Sequence, residues 1–176
     1  QVPRNSVDEV VDYIVELIDE VIESDALPGI ISYIYTEQGR ITLPIAKAIK
    51  AKALVLAASP IFNGNSDFSE LIDNEGNPLV DQSYDLNKWV IARDALLDAI
   101  ISAEENGHSL YEFNSQIPIN GEINDVITQE LSHRAGITDP FNNEIVWAFE
   151  PAWTGDLQQW CQPRCCLLYT SDAADD

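Results

Sequence analysis

The chain has 176 residues, with 30 acidic against 9 basic side chains and a formal charge of -21. Apolar residues make up 45%, normal for a folded core and too rich for a disordered acidic tail. A surface of this sign repels phosphate backbones and anionic lipid heads, and no apolar stretch reaches the ~18–20 residues of a membrane span. The length suits one domain or part of a larger one.

In chain order, the first predicted element is a helix from Ser6 to Glu23. Val7, Val10, Val11, Ile14, Leu17, Ile18, Val21 and Ile22 recur at helical spacing. Ser6 with Glu9 forms a capping box, in which each residue's side chain satisfies the other's backbone amide. The opposite face holds Asp8, Glu9, Asp12, Glu16, Asp19, Glu20 and Glu23 and no cation. It reads as a solvated face, because a calcium loop needs closely spaced ligands around a turn glycine. A loop with Leu27-Pro28-Gly29, Tyr33 and Tyr35 leads to a second helix, from Thr42–Pro44 to Ser59-Pro60. Its many alanines permit close helix approach, and the first helix is expected to pack on it as an antiparallel partner. Lys47, Lys50 and Lys52 on this helix can answer the acidic face of the first.

Residues 60–86 form a long connection with turn signals at Asn63-Gly64 and Glu75-Gly76-Asn77-Pro78. The third helix opens at Asp85–Asn87, carries Trp89, Ala92, Leu96, Ala99, Ile100 and Ala103, and closes at Asn106-Gly107. Trp89 is placed in the core on this stripe. Leu110 to Phe113 reads as extended, and Ile123 to Ser132 as a weak helix. Glu144 to Glu150 reads as a strand or buried extended segment, with Trp147 in the core.

The order of five segments resembles the SusD/RagB-type outer-membrane lipoproteins of Bacteroidetes. These are RNSVDEVVDYIV (4–15), RITLPIAKAIKAKALVLAASPIFN (40–63), NKWVIARDA (87–95), NGHSLY (106–111) and NEIVW (143–147). The resemblance covers most of residues 1–160 and rests on the sum of the segments. It implies a mainly α fold of tetratricopeptide-like antiparallel helix pairs, with long irregular loops and little β. It also implies a lipid-anchored protein of the outer-membrane surface that binds glycans or other nutrients beside a TonB-dependent transporter. Members are several times longer, so the chain is read as an internal fragment; it contains no Met. The segment from Cys166 to Asp176 resembles translated sequencing adapter, so residues 161–176 are set apart as a non-native tail.

Glycan binders stack sugars on aromatic faces and fix hydroxyls with polar side chains. Trp147, Phe149, Trp153 and Trp160 form the densest aromatic region. Trp153, in an apparent loop before Gly155-Asp156, is the candidate ligand-binding residue. Cys161, Cys165 and Cys166 match no zinc spacing, and no cofactor or metal is expected. Catalysis is not expected either. Glu144 and Glu150 would lie ~20 Å apart along a strand, against the ~5–9.5 Å of a glycosidase pair. His108 suits a turn, and His133 an exposed helix position. The alternative reading is a helical-repeat interaction scaffold that binds no ligand of its own.

Overall fold

The computed structural model describes residues 4–37, 39–114, 125–139 and 142–147. Its helices are α1 (Val7–Glu23), the single turn α2 (Ile34–Glu37), α3 (Leu43–Ala58), α4 (Leu86–Glu105) and α5 (Asp125–Thr138). No strand occurs among the described residues, so the fold is mainly α.

The start of α1 is set by the predicted capping box. The Ser6 hydroxyl accepts the Glu9 N–H at 3.2 Å, and the Glu9 carboxylate accepts the Ser6 N–H at 2.9 Å. In α3, proline occupies the first turn, where a missing N–H costs nothing. Asp85 caps α4 by accepting the Asn87 N–H, and Gly107, at φ 88°, follows its end in the left-handed region.

Helix α3 is central and packs against both α4 and α1. Both neighbours run antiparallel to it. Lys47, near the start of α3, meets Asp98, near the end of α4, at 3.0 Å. Just beyond α3, the Asn63 side chain binds both the N–H and the carbonyl of Asp85 at the start of α4. On the other side, Lys50 reaches Asp19. The Val7 N–H donates to the Leu79 carbonyl, in a strap held beside the α3 terminus by the Gly64 to Asp81 backbone bond.

The core is built largely of small residues. Ala46, Ala51, Ala57 and Ala58 of α3 are buried, as are Ala92, Ala99 and Ser102 of α4, and the two helices pack against each other. These α4 positions recur at helical spacing, and their small size lets the two backbones approach closely. This corrects the placement of Trp89 in the core. It lies one position off the inner face and is an exposed large apolar residue, as are Leu96, Leu97, Ile100 and Ile101. Close approach of alanine to alanine, rather than burial of the largest ring, sets the rotation of α4.

The packing of α1 on α3 follows the expectation in direction and falls short in depth. Val7, Val11, Val15, Ile18 and Ile22 are half-buried towards α3, and no α1 residue is fully buried. The long connection after α3 is ordered by its own polar side chains. It contains a 3-10 turn at Ser66–Phe68 and one antiparallel bridge, Ile72 to Pro78. It delivers Leu79 and Val80, both buried, to the core.

Residues 142–147 correct the predicted strand at 144–150. They form turns and bends, and Trp147 is exposed. The Asn142 side chain donates to the Gly136 and Asp139 carbonyls and accepts the Glu144 N–H, so local turn bonding overrides β propensity. Residues 148–150 and the set-apart segment 161–176 lie outside the described residues.

Candidate ligand-facing surface

Trp153, the ligand residue expected from the sequence, lies outside the described residues, as do Phe149, Trp160, Glu150 and the three cysteines. The region leading to Trp153 is described as far as Trp147. It is a polar junction between the extended segment after α4, helix α5 and the turn at 142–145.

Three side chains from separate segments meet at Tyr111. Its hydroxyl donates to Asp139 Oδ2 at 2.7 Å, and its backbone N–H donates to Glu144 Oε2 at 3.0 Å. The Tyr111 ring lies against Gly136 of α5, where an added Cβ would meet ring carbon Cδ1 at 3.5 Å. His108 Nδ1 is 3.1 Å from the Asn143 carbonyl, which also accepts the Ser109 N–H. One turn of α5 earlier, the Ser132 hydroxyl accepts the Phe113 N–H at 2.8 Å. The extended segment is thus fastened along its length, by the Asn143 carbonyl at Ser109 and by side-chain oxygens at Tyr111 and Phe113.

The hydrogen bond to Asp139 pushes the Tyr111 hydroxyl above its ordinary titration range, with desolvation and the carboxylate charge adding to it. The phenol is a proton donor held by an acceptor, so it is not an activated nucleophile. Asp139 and Glu144 keep further acceptor capacity towards solvent, and the exposed Trp147 indole stands three residues from Glu144 in sequence. Exposed aromatic and carboxylate side chains within one short segment are a composition that polyhydroxylated ligands use. Among the described residues, no group of three His, Cys, Asp or Glu is placed to hold a metal ion. No described helix is long and apolar enough to cross a membrane.

The sequence reading singled out Trp147 and Glu144 in this region, but as parts of a strand. It missed the Tyr111–Asp139 pair, whose members are 28 residues apart and on different elements. The local signal for the turn is the Asn142-Asn143 dipeptide that precedes the apolar run. His133 is exposed on α5, as expected.

Together these features define a mainly helical protein of antiparallel hairpins with a polar, aromatic junction at one end. No family profile matches the chain, and no curated protein matches it. Among solved structures, it is similar to BT4246, a Bacteroides thetaiotaomicron protein, with TM-score 0.69 and 27% identity over 85% of this chain. A selenomethionine form of BT4246 gives TM-score 0.68 at the same identity and coverage. The chain spans 28% of the length of those structures.

Proposed function

We propose that this chain is part of a SusD-like, cell-surface nutrient-binding lipoprotein that serves a TonB-dependent transporter at the outer membrane. The observation that carries this reading is the likeness to BT4246 over 85% of the chain at 27% identity. It joins the ordered set of SusD/RagB-type segments, which fall on α1, α3, the start of α4, the segment after α4 and the 143–147 turn. In this reading the protein binds a glycan or another nutrient without transforming it, is held by a lipid anchor, and passes its ligand to the transporter. The junction of Tyr111, Asp139, Glu144 and Trp147 would contribute to the ligand-facing layer, together with Trp153.

Glycan titration followed by tryptophan emission tests the binding role. Saturable, sugar-specific quenching that Trp153→Ala removes supports it, and unchanged emission across a panel of oligosaccharides counts against it. Co-purification of the tagged protein with a TonB-dependent transporter from native membranes tests the partner.

A second reading, an interaction scaffold without a ligand of its own, is favoured by one observation. Large apolar side chains of α1 and α4 stand exposed along most of both helices. Transporter capture without any sugar response would select it.

A further inference from the structure

Helix α4 packs on α3 along one side, where Ala92, Ala99 and Ser102 are buried. On the opposite side, about half a turn away, run Leu86, Val90, Arg93, Leu97, Ile100 and Glu104. The four apolar members of this row are 38–65% exposed, and Trp89, Leu96 and Ile101 widen the same face. A helix that is apolar on both sides is built to be enclosed on both.

The outer row alternates four and three positions, the seam spacing of two helices packed side by side. Its two charges, Arg93 and Glu104, have opposite signs and flank the apolar pair Leu97 and Ile100. From Arg93 to Glu104 the spacing runs four, three, four, so it reads the same in either direction. A two-fold axis midway between Asp98 and Ala99 therefore sets Glu104 of an antiparallel second copy opposite Arg93, and Ile100 opposite Leu97, and repeats both contacts. Val90 then falls opposite Gly107, which is exposed and has no side chain to obstruct it. Both charges are available. Among the described residues Glu104 has no Lys or Arg partner, and Arg93 meets only the adjacent Asp94, with both side chains well exposed.

We propose that the outer face of α4 binds a second copy of this chain, α4 against α4 in antiparallel register, with Arg93 of each copy paired to Glu104 of the other. The charges select this arrangement over its neighbours. Sliding the helices by one heptad sets Arg93 against Leu97 and Glu104 against Leu86, which leaves both charges unpaired in an apolar seam. Parallel pairing sets Arg93 against Arg93 and Glu104 against Glu104. Long-range repulsion between two copies of charge -21 opposes the contact and is screened beyond the ~8 Å Debye length of 0.15 M salt. The inference goes beyond the nutrient-binding reading and stands without it.

The test is sedimentation of the full 176-residue chain in 0.15 M salt, over about 5–200 μM. The wild type should form a dimer within that range. Leu97→Ser with Ile100→Ser should leave a monomer, with the helical circular dichroism retained. Arg93→Glu alone and Glu104→Arg alone change exposed positions, and each sets like charges against each other twice in the dimer. Each should weaken association at least about tenfold. An equimolar mixture of these two variants should dimerise again, because every facing pair is then of opposite sign. This arm decides the matter if the serine variant fails to fold. A wild-type monomer at every concentration would leave the face to another polypeptide and overturn the proposal. So would self-association that survives the serine pair, single charge variants that associate as the wild type does, or a mixture that stays monomeric.

Discussion

Asn63 joins the end of α3 to the start of α4 through three hydrogen bonds. Its amide donates to the carbonyls of Ala58 and Asp85, and its oxygen accepts the Asp85 N–H at 2.7 Å. The residue is buried, so Asn63→Ala leaves polar backbone groups dry and unpaired, and should cost about 1–3 kcal/mol in urea unfolding. Its neighbour Gly64 sits at φ 79°, and an added Cβ would meet the Tyr84 backbone at 2.9 Å, so both residues of this turn are fixed by the fold. The Asn-Gly dipeptide was legible as a turn. Its bond to Asp85, 22 residues later, was not, because side-chain partners across a long connection leave no periodic trace.

Two side chains give opposite pH dependences. The Asn77 side chain and backbone hold the Asp73 carboxyl below its ordinary value of 3.8. Its contribution is therefore present above that value and lost as pH falls through the lower folded one. Tyr111 is raised above its ordinary value of 10.0, first by the bond to Asp139. Its contribution is present below that value and lost as pH rises through the higher folded one. In a spectrophotometric alkaline titration, Tyr111→Phe should remove a late-ionising component. Loss of an ordinary tyrosine instead would contradict the pairing.

At the scale of elements, capping and turn chemistry were the readable parts. Ser6 with Glu9, the proline in the first turn of α3, and Asp85 before α4 placed helix starts to within a residue or two. The depth and rotation of packing were not readable, since both depend on which faces meet. In α4 the sequence offers a stripe of large residues and a stripe of small ones, and the alanine-rich surface of α3 selects the small one. The same logic predicts the response to added bulk. Ala51 is 1% exposed at the centre of α3. Ala51→Leu should overpack the interface and cost about 1–3 kcal/mol, whereas Ala48→Leu, on the exposed side of the same helix, should be nearly neutral. Equal melting temperatures for the two variants would mean that α3 is not the packed centre. The apolar run 144–147 failed as a strand for a different reason. Strand formation needs a partner edge, and none is present among the described residues, while Asn142 supplies turn bonds at once.

For the whole molecule, charge and packing pull against each other. The formal charge of -21 means that carboxylates repel one another across most of the surface, and added salt should weaken that repulsion. Salt also weakens the lysine pairs that tie α1 to α3 and α4, at Asp19 and Asp8. Both lysines are partly covered and both carboxylates more exposed, so each pair contributes at most ~1 kcal/mol. Two such pairs are outweighed by the repulsion among the many acids they leave unmatched. The melting temperature should therefore rise with sodium chloride, to a plateau once the Debye length has fallen to ~3–5 Å. Lys50→Gln with Lys88→Gln removes the favourable pairs and leaves the repulsion. That variant should melt lower in dilute buffer, with a steeper salt response and faster amide exchange along α1 than along α3. A wild-type melting temperature that falls with salt would reverse this order of effects, and would make the two lysine pairs the main support of α1.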